Sequence, residues 1–266
     1  MSRINLFDVN FNNYDFSDLL DYIDNSIRQQ KSSYILTCNV DHLVKLRKDS
    51  EFRNVYAKAG AVVADGMPII WASRLLGRPL KQKVSGSDLF SRLGEAFETR
   101  QYRLFFLGAA SGVPEMASRN LKRSYPDMNI VGCYSPSYGF EKNAEENEYI
   151  VRMLIDCKPD IVFVGVGAPK QEKWIYRNYL EYRAPVSIGV GATFDFLAGA
   201  VKRAPDFMQK AGFEWFWRLA QEPRRLWKRY LIDDAQFLGL FMKELMKQNK
   251  RRREGADVLN SADDHE

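Results

Sequence analysis

Two observations predict an α/β fold with a Rossmann-like, mostly parallel sheet flanked by helices. Six short β-rich runs recur along the 266-residue chain, at 34–37, 61–64, 104–107, 129–132, 161–164 and 186–190, and a helical pattern follows each. Strands that alternate with helices pair in parallel through crossover connections. The second observation is what stands at the ends of these runs: Thr37-Cys38-Asn39, Asp65-Gly66, Gly108-Ala109-Ala110-Ser111-Gly112, Gly165-Val166-Gly167 and Gly191-Ala192-Thr193-Phe194-Asp195. Ligands of open α/β sheets gather beyond the carboxyl ends of the strands. Five polar or glycine-rich ends therefore predict one cleft.

The chain is 45% hydrophobic and 27% charged, which suffices for a buried core. Residues 1–13 mix Arg3, Asp8 and several asparagines with apolar residues and lack the apolar centre of a signal peptide. No stretch reaches the roughly 18 to 20 apolar residues that a membrane-spanning helix needs. A cytoplasmic location is expected, with any membrane contact peripheral. Cys38, Cys133 and Cys157 are odd in number and contain no Cys-x-x-Cys pair, so reduced thiols are expected.

The run at 165–172 carries the most chemistry. It follows the apolar stretch 161–164, where a buried strand should turn into a helix. Pro169 suits the first helical turn, and Gly165 and Gly167 let the backbone approach a ligand closely. Free N–H groups at a helix start bind phosphate, Lys170 adds a full charge, and Gln171 and Glu172 offer directional hydrogen bonds. An ordinary strand-to-helix turn is an equal reading of the run. The run at 108–112 lacks the middle glycine of the dinucleotide fingerprint and that at 165–172 the third, which disfavours a nicotinamide enzyme.

The character changes after Gly212. Trp215, Trp217 and Trp227 interleave with Arg218, Arg224 and Arg225, and an apolar pattern follows through Phe237, Leu240, Phe241 and Leu245 before the basic residues Lys243 to Arg253. A basic amphipathic helix bordered by indoles suits an anionic bilayer, and a helix packed on the core with a solvated face is the rival reading. The expected organisation is a core at 1–212, a helical membrane-docking appendage at 213–253 and an acidic, disordered tail at 254–266.

Between Tyr34 and Tyr230 the chain resembles the bacterial glycosyltransferase family that includes teichoic-acid N-acetylmannosaminyltransferases, common-antigen N-acetylmannosaminuronic acid transferases and some exopolysaccharide glucosyltransferases. The marks are Thr37-Cys38-Asn39, Ala64-Asp65-Gly66, Ser85-Gly86-Ser87-Asp88, the run at 165–172, Phe194-Asp195-Phe196-Leu197-Ala198-Gly199, Lys202-Arg203-Ala204-Pro205, Glu214-Trp215 with Arg218, and Glu222-Pro223. The resemblance implies transfer of a sugar from a UDP-sugar to a polyprenyl-diphosphate-linked sugar at the cytoplasmic membrane face, with inversion at the anomeric carbon.

An inverting transfer needs a base for the acceptor hydroxyl and a means of steadying the leaving UDP. Asp65 is expected to be the base, since it stands at a strand end beside Gly66 and matches the family position. The same place would suit the N-cap of a helix beginning near Met67. Thr37 and Asn39 would orient a sugar hydroxyl, or else serve as turn and cap residues. The resemblance assigns the ribose hydroxyls to Asp195 and the uracil to Tyr138, while Lys170 and Gln171 would meet the donor sugar or its phosphates. Lys83 stands where relatives commonly carry arginine, and lysine cannot form a planar fork with phosphate. Asp88 would start a helix or touch ligand.

No Asp-x-Asp strand end is present and the histidines are His42 and His265 alone, so neither a metal site nor a cofactor is expected. The diphosphate charge would fall to Arg203, Arg218, Arg225 and Lys228. The net charge of +5 and the basic tail come with no recognition motif for nucleic acid. The segment from Asp65 to Arg74 resembles the exopolysaccharide members, which makes UDP-glucose the first expectation and UDP-N-acetylmannosamine or its uronic acid the alternative. A non-catalytic nucleotide-binding assembly subunit is the rival outside enzymology. Apolar surface offered to lipid would serve a homo-oligomer equally well.

Overall fold

The computed structural model describes residues 2–210 and 212–248, and the backbone alone at Asp206, Lys210, Arg225 and Arg229. The expected acidic tail at 254–266, the basic residues 250–253 and the side chain of Arg225 lie outside the described residues. The chain opens with a hairpin that the strand pattern did not announce. Strands β1 (Arg3–Leu6) and β2 (Val9–Asn12) pair antiparallel with Leu6 opposite Val9, and Phe7 and Asp8 make the turn at φ 57° and 62°. Asn12 ties the hairpin to the main sheet, its Oδ1 accepting the Val62 N–H at 3.0 Å.

Helix α1 (Phe16–Arg28) starts in a reciprocal capping box between Asp15 and Asp18. The alternation then runs as the sequence predicts: β3 (Ser33–Cys38), α2 (Val40–Leu46), α3 (Ser50–Lys58), β4 (Ala61–Ala64), α4 (Met67–Leu75), α5 (Gly86–Thr99), β5 (Leu104–Gly108), α6 (Val113–Ser124), β6 (Ile130–Tyr134), α7 (Ala144–Cys157), β7 (Ile161–Gly165), α8 (Lys170–Tyr182), β8 (Val186–Gly189) and α9 (Thr193–Leu197). The six strands β3 to β8 form one parallel sheet in the order β4-β3-β8-β7-β5-β6. Successive side chains of a strand point to opposite faces. Leu36, Cys38, Val162 and Val164 accordingly join the hairpin, α2 and α8 in one core cluster, while Ile35, Val63, Phe163 and Ile188 join α1, α5 and α6 in the other. Both faces are covered, which is why these strands read as continuous apolar runs.

Beyond α9 come α10 (Asp206–Lys210), α11 (Glu214–Gln221), α12 (Pro223–Lys228), a π-helical turn at Arg229–Asp233 and a final helix over 236–248. The apolar pattern expected to face a bilayer is instead turned inward. Phe237, Leu240, Phe241 and Leu245 pack on the first core cluster, with Phe237 edge-on to Phe7 at 5.3 Å. Polar contacts fix the same helix: Arg78 donates to Glu244 at 2.8 Å, and Gln248 Nε2 to the Leu76 carbonyl at 2.7 Å. Among the described residues no helix is long and apolar enough to cross a membrane.

Candidate active site

A cleft of about 910 Å3 lies over the carboxyl ends of the sheet. All five predicted strand ends reach it, through Thr37 and Asn39, Asp65 and Gly66, Ala109 and Ala110, Gly165 to Ala168, and Gly191 to Thr193 with Asp195. Its far wall comes from the C-terminal segment, where Glu214, Trp215, Arg218, Leu226, Tyr230 and Leu238 line the same space. Of the expected site residues, Thr37, Asn39, Asp65, Lys83, Tyr138, Gly165, Gly167, Lys170, Gln171, Asp195 and Arg218 are brought together here. Arg203 and Lys228 are not among the lining residues, and Lys228 is exposed.

Asp65 does not cap a helix. The N-cap of α4 is Gly66, at φ 121°, a conformation that glycine adopts without strain, and no side chain caps that end. Among the described residues no side chain hydrogen-bonds to the Asp65 carboxylate. Burial pushes its pKa up to about 7, Lys83 and Arg218 pull it down, and the charges of Glu214 and Asp88 push it up again. A carboxylate that titrates near neutrality and has a free oxygen can accept a proton from a bound hydroxyl.

Lys83 is the hub of the charges around it. Its Nζ lies 3.1 Å from Asp88 and 3.6 Å from Glu214. Burial works against its charge, but Asp88, Asp65 and Glu214 outweigh that and hold its pKa above the ordinary lysine value. Asp88 sits in the first turn of α5, accepts from Ser85 at 2.6 Å, and is ion-paired with Arg203. Arg203 Nε also approaches Glu214 at 3.7 Å. Arg203 thus ties the 198–205 segment and α11 to α5 rather than entering the cleft. Arg218 stands over the Phe196 ring at 5.5 Å, and its buried Nε has no hydrogen-bond partner. A buried guanidinium N–H without an acceptor costs free energy until an anion supplies one.

The glycine run is built differently from the sequence reading. Pro169 is the cap residue and α8 begins at Lys170. The Gly167 N–H is not free: it donates to Gln171 Oε1 at 3.1 Å, and the Gly191 N–H donates to the same oxygen at 3.1 Å. Gln171 therefore clamps the β7 and β8 loops together. Gly165 is required by packing, since a Cβ there would meet the Gly191 carbonyl oxygen at 2.8 Å and Phe194 at 2.8 Å. Gly167 is required by its backbone, at φ 84°, and a Cβ there would meet nothing within 4 Å.

At the rim Tyr138 is fully exposed, with Lys170 Nζ 5.1 Å from its ring centre and 3.5 Å from Glu141. Thr37 Oγ1 donates to the Gly189 carbonyl at 3.2 Å. Asn39 is the N-cap of α2, its Oδ1 accepting the His42 N–H at 3.0 Å, which leaves its amide hydrogens for the cleft.

Glu172, expected with Gln171 to offer hydrogen bonds to a ligand, is instead buried beneath the floor, while His42, given no role by the sequence, lines the cleft. Glu172 is 1% exposed; its Oε1 accepts from Gln171 Nε2 at 2.6 Å and lies 3.6 Å from His42 Nε2, and its Oε2 has no hydrogen-bond partner. Burial pushes its pKa up to about 7. His42 Nδ1 meets the Tyr56 hydroxyl at 2.6 Å. The signal for Glu172 was its place after Gln171, on the inward side of the first turn of α8. Among the described residues no group of three or more His, Cys, Asp or Glu is placed to hold a metal ion.

An open parallel sheet with a cleft of nucleotide size over its strand ends, one carboxylate there titrating near neutrality and one buried cationic donor in the facing wall has the architecture of an α/β enzyme site. The chain belongs to the glycosyl transferase WecG/TagA/CpsF family, whose model matches residues 4–251. It is a glycosyltransferase. Similar proteins include one from Bacillus subtilis, 30% identical over 249 residues that cover 93% of this chain and 94% of the relative. One from Bacillus spizizenii is 32% identical over 203 residues, 76% of each chain, and one from Staphylococcus aureus is 27% identical over 252 residues, 94% of each. All three are named N-acetylglucosaminyldiphosphoundecaprenol N-acetyl-beta-D-mannosaminyltransferase.

Proposed function

We propose that this protein transfers N-acetylmannosamine from its UDP conjugate to N-acetylglucosamine carried on undecaprenyl diphosphate, with inversion, in cell-envelope polysaccharide synthesis. The observation that carries the reading is the match, over more than nine-tenths of both chains, to a relative named for this transfer. N-acetylmannosamine thereby replaces glucose as the preferred donor.

In the proposed reaction the acceptor hydroxyl oxygen bonds to the anomeric carbon as the bond from that carbon to the UDP oxygen breaks. The hydroxyl proton passes to Asp65, and the bonding electrons leave with UDP. Asn39 and Thr37 stand beside Asp65 to orient the reacting sugars. Arg218 and Lys83 offset the charge that develops on the diphosphate, while Asp195 and Tyr138 hold the ribose and the uracil. Gln171 acts through the loops it clamps.

Peripheral attachment to the inner face of the membrane belongs to the same reading, with residues 213–248 as the appendage that completes the cleft. The support is the exposed apolar side chains: Leu75 is 72% exposed and Met246 65%, and Trp71, Phe216, Trp227 and Leu231 are also open to solvent. Trp71 packs at Gly212 and Leu76 accepts from Gln248, so α4 lies between both ends of the appendage.

The test is UDP release from a panel of UDP-sugars with a short-chain polyprenyl-diphosphate N-acetylglucosamine acceptor. Acceptor-dependent release that favours UDP-N-acetylmannosamine and collapses in Asp65→Asn is expected. Preference for UDP-glucose would overturn the donor, and full activity in Asp65→Asn would overturn the base.

A further inference from the structure

The final helix walls two cavities. Phe237 and Leu238 line the cleft, while Leu240, Lys243, Glu244 and Lys247 line a second cavity of about 390 Å3. The two cavities also back onto each other through one hydrogen bond. Tyr56 lines the second cavity, and its hydroxyl meets the ring of His42, which lines the cleft.

Five basic side chains from three parts of the fold converge on the second cavity: Arg3 from β1, Arg47 and Arg53 from the α2–α3 region, and Lys243 and Lys247 from the final helix. Two acidic side chains, Asp8 and Glu244, accompany them, and both are engaged. Lys247 lies 3.1 Å from Asp8 and 3.7 Å from Glu244, and Glu244 also accepts from Arg78. Arg53 spends one nitrogen on the carbonyls of Leu46 and Arg47. Among the described residues Arg3, Arg47 and Lys243 have no carboxylate partner. Asn10 accepts from Asn5 through its Oδ1, which leaves its amide hydrogens as neutral donors. Beneath this rim the floor is apolar, formed by Val9, Leu43, Leu46 and Val62.

Three unpaired cations over an apolar floor form a receptor for one compact, strongly charged oxyanion whose attached group is less polar than itself. We propose that this cavity is a binding site for a phosphate group, separate from the cleft. An anionic lipid headgroup supplies that chemistry with an apolar body attached, and a free phosphate supplies the anion alone. The site does not depend on which sugar the enzyme transfers, or on whether it transfers N-acetylmannosamine at all.

The experiment compares the wild type, the pocket variant Arg47→Glu/Lys243→Glu, and the control Lys122→Glu/Arg123→Glu, which makes the same change of net charge on exposed residues at the end of α6. Each is measured for co-sedimentation with phosphatidylcholine vesicles with and without phosphatidylglycerol. Each is also melted in inorganic phosphate and in chloride at equal ionic strength. Loss of about tenfold or more in binding to the anionic vesicles, in the pocket variant and not in the control, is expected for a lipid headgroup. Equal vesicle binding with a phosphate-dependent rise in melting temperature, lost only in the pocket variant, would assign the site to free phosphate. Equal behaviour of pocket variant and control in both assays would overturn the proposal.

Discussion

The side chains of Gln171 and Glu172 are joined by a 2.6 Å hydrogen bond that sets which way the Gln171 amide faces. With Nε2 held by the carboxyl, Oε1 is turned to the two loop N–H groups of Gly167 and Gly191. A buried acid that never touches the cleft thus governs the spacing of two loops that line it.

Glu172→Gln should change how stability depends on pH. Burial raises the folded-state pKa of Glu172 from 4.5 to about 7. The stability gained by protonation is full below the unfolded pKa and is lost as pH rises through the folded one. The linkage is on the order of 3 kcal/mol at most between pH 4.5 and 8. Urea unfolding should find the variant close to wild type at pH 5 and more stable than wild type at pH 8. A pH dependence equal to wild type would place the charge elsewhere.

Asp65→Asn should lower turnover by about 10^2 to 10^4 while UDP still binds. In the wild type, kcat/KM should fall about tenfold per pH unit below the Asp65 pKa of about 7 and level off above it. The check is acceptor-dependent UDP release between pH 5.5 and 9, with UDP affinity measured by calorimetry.

Lys83→Met removes the stronger of the two cations that pull the Asp65 pKa down, leaving Arg218, and keeps Asp88 and Glu214, which push it up. The acid limb of the pH–rate profile should therefore move to higher pH. Lys83→Arg keeps the charge and should leave the limb near its wild-type position. An unmoved limb in Lys83→Met would sever Lys83 from Asp65.

The two glycines after β7 should respond differently to alanine. Gly165→Ala drives a methyl group into the Gly191 carbonyl and the Phe194 ring, an overpacking that costs about 1 to 3 kcal/mol. Gly167→Ala meets no atom but must hold φ 84°, a cost of roughly 1 to 2 kcal/mol. Denaturant melts of the two variants measure both, and a larger loss for Gly167→Ala would reverse the assignment.

The strand ends were legible because burial on both faces leaves an unbroken apolar run that stops where polar residues begin. The runs at 34–37 and 161–164 became β3 and β7, each longer by a residue or two, and the runs at 129–132 and 186–190 shifted or shortened by one or two residues. The hairpin of β1 and β2 escaped because its strands are four residues long and half polar, and because Phe7 and Asp8 take left-handed turn positions usually marked by glycine or asparagine. The candidate base at Asp65 could be read from its place beside Gly66. The commitment of the Gly167 N–H could not be, because Gln171 reaches it only after α8 has turned its first residues inward. The inward face of the final helix was likewise hidden, since Phe237, Leu240 and Leu245 form an apolar stripe that suits lipid or core equally until the hairpin stands opposite.

The pairing of β3 with β8 has a consequence for the newly made chain. Thr37 donates a hydrogen bond to the carbonyl of Gly189, a residue synthesised 152 positions later, so β3 can pair with β4 early but lacks its other neighbour until β8 has left the ribosome. The first half of the nascent polypeptide carries Asp65 but no floor on which to seat a nucleotide. The cleft is therefore completed late: a translation product cut short before β8 lacks the strand end at Gly191 to Asp195 and the C-terminal wall as well.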